Sequence, residues 1–272
     1  MKSPFVLALI ACFLFVTAAA AGAASSILCS STTSAENSGL FGYLLPMFEQ
    51  KTGIKVKVVA RGTGAAIEMG KRGDADVTFV HAKAQELRAV REGWFVNRHD
   101  VMYNDFVIIG PSDDPLGIRG AGTAVAAFRK LASGSGYFVS RGDRSGTHVK
   151  ELAIWKAAGI NPKGQPWYLE VGQGMEKTQR IANEKRAYTL TDRGTWLATK
   201  DKDRLQMVIV FEGDKVLVNQ YGVMAVNPAR HKHVKYDEAM RFVNWLISKE
   251  GQAAIGSYTD KLGNRLFVPN AK

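Results

Sequence analysis

Hydrophobic and polar positions alternate along this chain in two rhythms. Short apolar runs read as strands, and stretches with apolar residues at helical spacing read as helices. After the first two dozen residues the pattern predicts a strand at 27–29 and a helix over 38–51, with Leu40, Tyr43, Leu44, Met47 and Phe48 on one side. Gly53 ends that helix. An alternating strand ("IKVKVVA", 54–60), a short helix (65–72), a strand (77–80), a helix (82–92) and an extended run (101–110) follow.

A loop rich in Asp, Pro and Gly occupies 111–122, and the rhythm then restarts. It predicts a helix over 124–131, a strand at 137–140 and a helix over 145–158, whose inner side would carry Val149, Leu152, Ala153 and Trp155. Beyond it come a helix (175–185), a strand (187–190), a helix (192–199), a strand (207–211), a long apolar segment (216–228) and two closing helices (236–248 and 251–258). This is the pattern of an α/β protein with mainly parallel sheets. The restart predicts two lobes, 25–110 with 220–272 and 111–219, joined by crossings near 110–113 and 215–220. Two crossings allow hinge closure around a ligand held between the lobes.

The first 24 residues are a different kind of sequence. Lys2, the apolar run 5–16 and the small residues 18–24 make a secretory signal peptide, too short to span a membrane, and place the mature protein in the periplasm. Leu9-Ile10-Ala11-Cys12 has the form of a lipid-attachment box, but the apolar run continues past it. Without Cys12 the mature chain keeps only Cys29, so it forms no internal disulfide, and Cys29 reads as a buried structural thiol. The net charge of +11 reads as a solvated basic surface that also speeds the approach of anions. No dense Lys/Arg run with interleaved aromatics occurs, so nucleic acid is not an expected partner.

Three stretches each follow a predicted strand and open a predicted helix: "SSTTSAENSG" (30–39), "RGTGAA" (61–66) and "SRGDRSGTH" (140–148). Helix N-termini present free N–H groups, Gly permits close approach, and Ser and Thr add O–H donors; together these suit an anion. In open α/β sheets ligands gather at the carboxyl ends of strands, where these loops fall. Ser145 could equally be a simple helix cap. The loops fail as nucleotide motifs: "GTG" lacks the third glycine of a dinucleotide fingerprint, and the P-loop spacing is broken at Ala65 and Arg72.

Arg141 ends a strand inside the third loop, where a guanidinium could offer two donors to an oxyanion. The alternative is a surface arginine paired with Asp143 or Asp113, and Arg144 and Arg61 read as solvated. Asp143, Ser145 and His148 invite a catalytic triad, hence a secreted serine hydrolase. The G-x-S-x-G elbow is absent, however, and a His three residues after a Ser on one helix is badly placed to act as its base. The chain is therefore not expected to be an enzyme. His231-Lys232-His233 has no third ligand nearby and reads as a basic loop rather than a metal site.

The ordered segments "TTSAENSGL" (32–40), "GDADVTFVHA" (73–82), "YNDFVIIGP" (103–111), "SRGDRSGTH" (140–148), "YTLTDRGTW" (188–196) and "NQYGVMAVNP" (219–228) resemble the tungstate-binding proteins of bacterial ABC-type tungstate transporters. The resemblance implies a two-lobed type II periplasmic-binding-protein fold. It implies tungstate or molybdate as the ligand, captured as an oxyanion and delivered to a membrane permease. It also implies a monomer, no cofactor, and no side chain bonded to the metal itself.

The family's Thr-Thr-Thr-Ser motif falls on Ser31, Thr32, Thr33 and Ser34, its arginine on Arg141 and its partner threonine on Thr147. The oxyanion site so implied comprises Thr32, Thr33, Ser34, Thr63, Gly64, Ala65, Arg141, Ser145, Gly146 and Thr147, with Ser30 and Ser31 as strand-end residues. The family's "RGDDSGT" is here "RGDRSGT", so Arg144 stands in place of an acid. Tungstate and molybdate are dianions near neutral pH that only accept hydrogen bonds. Hydrogen phosphate also carries a proton to donate, for which Asp143 is a candidate acceptor, so a phosphate- or sulfate-binding protein is the alternative within the same class.

Overall fold

The computed structural model describes residues 25–260 and 263–272, and the signal-peptide expectation for 1–24 lies outside the described residues. The strands are β1 (Ser26–Thr32), β2 (Lys55–Arg61), β3 (Val77–Val80), β4 (Phe95–Pro111), β5 (Phe138–Ser140), β6 (Tyr168–Glu170), β7 (Thr189–Asp192), β8 (Met207–Phe211), β9 (Val218–Val226) and β10 (Val268–Pro269). The helices are α1 (Thr33–Asn37), α2 (Leu40–Thr52), α3 (Thr63–Lys71), α4 (Lys83–Arg91), α5 (Ala124–Ser133), α6 (Gly146–Ala157), α7 (Met175–Glu184), α8 (Arg193–Ala198), α9 (Tyr236–Ile247) and α10 (Lys249–Ser257).

The strands run in the order β10-β4-β9-β3-β1-β2, with β7 and β8 pairing farther along β4. β1 is parallel to both β2 and β3, so the carboxyl ends of these three strands lie on one edge. β5 and β6 form a separate parallel pair. Apart from a parallel bridge between Phe138 and Tyr188, the remaining strand pairings are antiparallel, and most of them involve β4. Its first part, Phe95 to Asp105, pairs with β9; from Phe106 onward its partners are β7 and β8. The exchange of partners falls between Asp105 and Phe106, and β9 begins opposite it, with Val218 paired to Asp105. Arg193 braces this point by holding the Asp105 carboxylate with two bonds of 2.6 Å.

Separate apolar clusters lie on the two sides of the exchange. One gathers Ile27, Cys29, Phe48, Phe79, Tyr221 and Phe242; another gathers Phe106, Phe128, Phe138 and Trp155, with the Phe128 and Trp155 rings 4.4 Å apart. Aromatic pairs at such spacing add to the stabilisation from area burial alone. Cys29 is buried, as its apolar neighbours imply, and burial pushes its thiol pKa up to about 12. That keeps it a protonated, unreactive packing group.

The structure corrects several sequence expectations. The first strand continues through Ser30, Ser31 and Thr32, because its hydroxyls find partners within the sheet: Ser30 Oγ shares a 2.8 Å bond with Thr78 Oγ1, and Ser31 Oγ donates to the Phe79 carbonyl at 2.6 Å. The expected helix at 38–51 begins at Leu40 after a break at Gly39, whose φ of 78° favours glycine. On α6 the buried face is Thr147, Glu151, Ile154 and Trp155, while Val149 and Leu152 are exposed. A reading based on hydrophobicity selects the wrong face there because a buried carboxylate occupies the inner stripe.

Candidate functional site

The first loop starts where β1 ends. Thr32 caps α1, its Oγ1 accepting from the Ala35 N–H at 3.2 Å, which leaves the hydroxyl proton free to donate. Thr33 is half-buried and Ser34 buried. The second loop follows β2. The first helical bond of α3 runs from the Ala66 N–H to the Gly62 carbonyl, so the N–H groups of Thr63, Gly64 and Ala65 have no partner within the helix.

The third loop follows β5 and turns sharply, with Gly142 and Arg144 at φ 61° and 58°. Ser145 then caps α6, its Oγ accepting from the His148 N–H. These loops come from opposite sides of the strand exchange and close on one another. Arg141 Nη1 lies 3.5 Å from Ser34 Oγ. A methyl group built on Gly146 would sit 2.9 Å from His81 Cε1 and 3.0 Å from Thr63 Oγ1. Only glycine allows that approach of the α6 N-terminus to Thr63 and His81.

Burial here is nearly complete: Thr63 and Thr147 are 1% exposed and Arg141 2%. The Thr63 and Thr147 hydroxyls and His81 Nε2 are buried with no hydrogen-bond partner. An unpaired buried polar group costs about 1–3 kcal/mol, and the two hydroxyls are a local deficit that an acceptor of several hydrogen bonds would relieve. Arg141 is not solvated. Its Nε and Nη2 donate to Asp143 Oδ2 at 3.1 and 2.5 Å, leaving the Nη1 edge toward Ser34. The other Asp143 oxygen accepts from the Ser145 N–H. Burial works against the Asp143 carboxylate, but Arg141 and the Ser145 bonds outweigh it and hold its pKa below the usual value. Both oxygens are thus engaged in bracing the loop, which argues against Asp143 as an acceptor for a phosphate proton.

Several other expectations also resolve. The Asp143, Ser145 and His148 side chains do not form a relay. His148 Nδ1 is spent accepting from the Arg144 N–H, and Ser145 Oγ accepts from the His148 backbone N–H, so the imidazole is not placed against the serine hydroxyl as its base. Ala65 is exposed and borders a surface depression with Arg61, Glu68 and Arg72, so its backbone N–H is what it could offer the cleft. Arg144 is exposed, and its positive φ is one that the shorter acidic residue of the family pattern adopts more readily. His231 and His233 hydrogen-bond the carbonyls of Lys71 and Gly73 at the end of α3.

Sequence reasoning missed a polar chain behind the loops. His81 Nδ1 lies 2.9 Å from Asn219 Oδ1, Asn219 Nδ2 donates to Asn104 Oδ1 at 2.8 Å, and Asn104 Nδ2 reaches Asp192 Oδ1 at 3.4 Å. Asp192 caps α8 by accepting from the Thr195 N–H and hydroxyl. The chain passes through β9 and β4 beside their exchange of partners. Its four members stand within segments that carry the family resemblance, "GDADVTFVHA", "YNDFVIIGP", "YTLTDRGTW" and "NQYGVMAVNP", but their mutual contact is not visible in any one of them.

Among the described residues no helix is long and apolar enough to cross a membrane, and no group of three His, Cys, Asp or Glu side chains is placed to hold a metal ion. The model of a PBP superfamily domain matches residues 17–250. A tungstate-binding protein TupA of Peptoclostridium acidaminophilum is 46% identical over 248 residues, covering 90% of this chain and 86% of that protein. Among solved structures, one described as the tungstate ABC transporter from Geobacter sulfurreducens is 52% identical and superposes with a TM-score of 0.78, covering 86% of this chain and 98% of that one. The tungstate-binding protein TupA from Desulfovibrio alaskensis G20 is 44% identical with a TM-score of 0.81, covering 92% and 100%.

Proposed function

Since the chain belongs to the periplasmic-binding-protein superfamily, and within it to the family of tungstate-binding proteins, we propose that it captures tungstate, with molybdate as competitor, for an ABC importer. It acts as an exported binding protein without catalysis, in the periplasm, as a monomer that hands its ligand to a membrane permease. The observation that carries this reading is the cluster of buried, unpartnered hydroxyls at Thr63 and Thr147 beside the Arg141 guanidinium.

A fully deprotonated tetrahedral dianion supplies only acceptors, and this site supplies donors. Thr32, Thr33, Ser34, Thr63, Ser145 and Thr147 offer hydroxyls, the first turns of α3 and α6 offer N–H groups at Gly64, Ala65 and Gly146, and Arg141 offers Nη1. Each hydrogen bond to a charged group contributes about 1.5–3 kcal/mol. Six or seven suffice for nanomolar affinity, about −12 kcal/mol, after the costs of ordering and closure. The donors come from both sides of the β4 partner exchange, so capture requires the two lobes to close, with β4 and β9 as the hinge strands.

Isothermal titration of the mature protein with tungstate, molybdate, phosphate and sulfate tests the proposal. Tight one-to-one binding of tungstate with phosphate and sulfate silent is expected. Heat from phosphate alone would leave the cleft but overturn the ligand.

A further inference from the structure

The His81 ring belongs to none of the donor loops yet stands against them, its Cε1 2.9 Å from a methyl group built on Gly146, and its Nε2 is buried with no hydrogen-bond partner. The polar chain behind it determines which nitrogen of His81 carries hydrogen. The Asp192 carboxylate only accepts, so Asn104 must turn its NH2 toward it and its carbonyl toward Asn219. Asn219 therefore spends its NH2 on Asn104 and presents its carbonyl to His81, whose Nδ1 must be the donor. In neutral His81 the hydrogen sits on Nδ1, and Nε2 is a bare lone pair.

That lone pair is the wrong group for the ligand inferred above. The Thr63 and Thr147 hydroxyls do not satisfy it, since they too are without partners. A dianion drawn to these hydroxyls and to Arg141 would meet an acceptor facing its own acceptor oxygens. Protonation of Nε2 removes the conflict and adds a charged donor, while the Nδ1–H bond to Asn219 is unchanged. Resting on the oxyanion reading, we infer that His81 is a further ligand-binding residue: capture of the dianion is coupled to uptake of one proton at Nε2, which then donates to a ligand oxygen.

The surroundings set the direction. Burial lowers the His81 pKa first; the Asp192 carboxylate and the Asn219 bond oppose this, and Arg141 adds to it. The net shift is downward, so the ring is neutral in the ligand-free protein near neutral pH. The stacked Tyr221 ring, 4.7 Å away, stays a neutral phenol because burial raises its pKa well above the usual value. A dianion placed against the ring raises the His81 pKa, and by linkage affinity falls as pH rises between the ligand-free and ligand-bound values. The limiting dependence is about tenfold in Kd per pH unit.

The test is calorimetric titration with sodium tungstate between pH 7 and 8.5, in buffers of low and high ionisation enthalpy, with wild type and with His81→Gln. The coupling predicts uptake of roughly one proton per tungstate in wild type and none in the variant. Tight binding without proton uptake in wild type, or uptake unchanged in His81→Gln, overturns the inference and leaves the oxyanion reading intact. Absence of any tungstate binding overturns the tungstate reading, and this inference with it. The wild-type proton count decides the matter even if the variant does not fold.

Discussion

Replacing Thr63 with valine keeps the shape of the side chain and deletes one hydroxyl. In the structure that hydroxyl is 1% exposed and has no partner, so the free protein carries the cost of burying it, about 1–3 kcal/mol. The site reading makes it a donor to a charged ligand, a bond of about 1.5–3 kcal/mol. One substitution should therefore move two quantities in opposite directions. Kd for tungstate should rise about ten- to 150-fold. The ligand-free protein should melt higher, by about 2–12 °C, since each kcal/mol shifts the Tm of a chain this long by about 2–4 °C. Isothermal titration reads the first and differential scanning calorimetry of ligand-free protein reads the second. A Thr63→Val protein with unchanged affinity would remove the hydroxyl from the site. A protein that melts lower would show that the hydroxyl already has a partner, and the deficit argument would fail.

Other substitutions probe other parts of the account. Arg141→Ala removes the guanidinium edge and leaves Asp143 half-buried without its cation; titration should show well over a tenfold loss of affinity for tungstate, and melting a loss of stability. Gly146→Ala puts a methyl group 2.9 Å from His81 Cε1 and 3.0 Å from Thr63 Oγ1 when the loops are together. It should weaken binding by about tenfold or more, chiefly through faster release in stopped-flow measurements, and also lower the melting temperature, because the loops already meet in the structure. Burial raises the Glu151 carboxyl pKa to about 7 despite bonds from Tyr168, Ser140 and Trp155. Because its folded pKa lies above the ordinary value of 4.5, the folded state binds more protons than the unfolded one between about 4.5 and about 7. Its contribution to stability is thus full below that window and is lost as pH rises through it. Glu151→Gln should flatten this part of the profile of melting temperature against pH.

How much of this could be read from sequence differs from residue to residue. The alternation of apolar runs gave the α/β class because buried strands and one-sided helices have different periods, and those periods survive in the chain as written. The hydroxyl-rich loops were legible as strand-to-helix turns because Gly, Ser and Thr gather at them, although the same residues read equally as helix caps, which Thr32 and Ser145 are. The inner face of α6 was misread because Glu151 lies on it, held by Trp155 one turn along the same helix and by Ser140 and Tyr168 from β5 and β6. His81 was passed over for the same reason: it is one polar residue after an apolar strand, and its meaning depends on Asn104, Asn219 and Asp192 arriving from three other strands. Pairing of Arg141 with Asp143 stood in the sequence as an alternative to anion binding. The structure holds Nε and Nη2 on the carboxylate and leaves Nη1 toward Ser34, so the pair orients the group instead of consuming it.

The central claim is that an oxyanion sits where Arg141, Thr63 and Thr147 meet. Anomalous diffraction from crystals grown with tungstate tests it most directly, because tungsten marks its own position. A single strong peak is expected between the Thr32–Ser34, Thr63–Ala65 and Ser145–Thr147 segments, with oxygens in hydrogen-bond reach of Arg141 Nη1 and of the Thr63 and Thr147 hydroxyls. A peak on the outer surface with the cleft residues still bonded only to one another would contradict it.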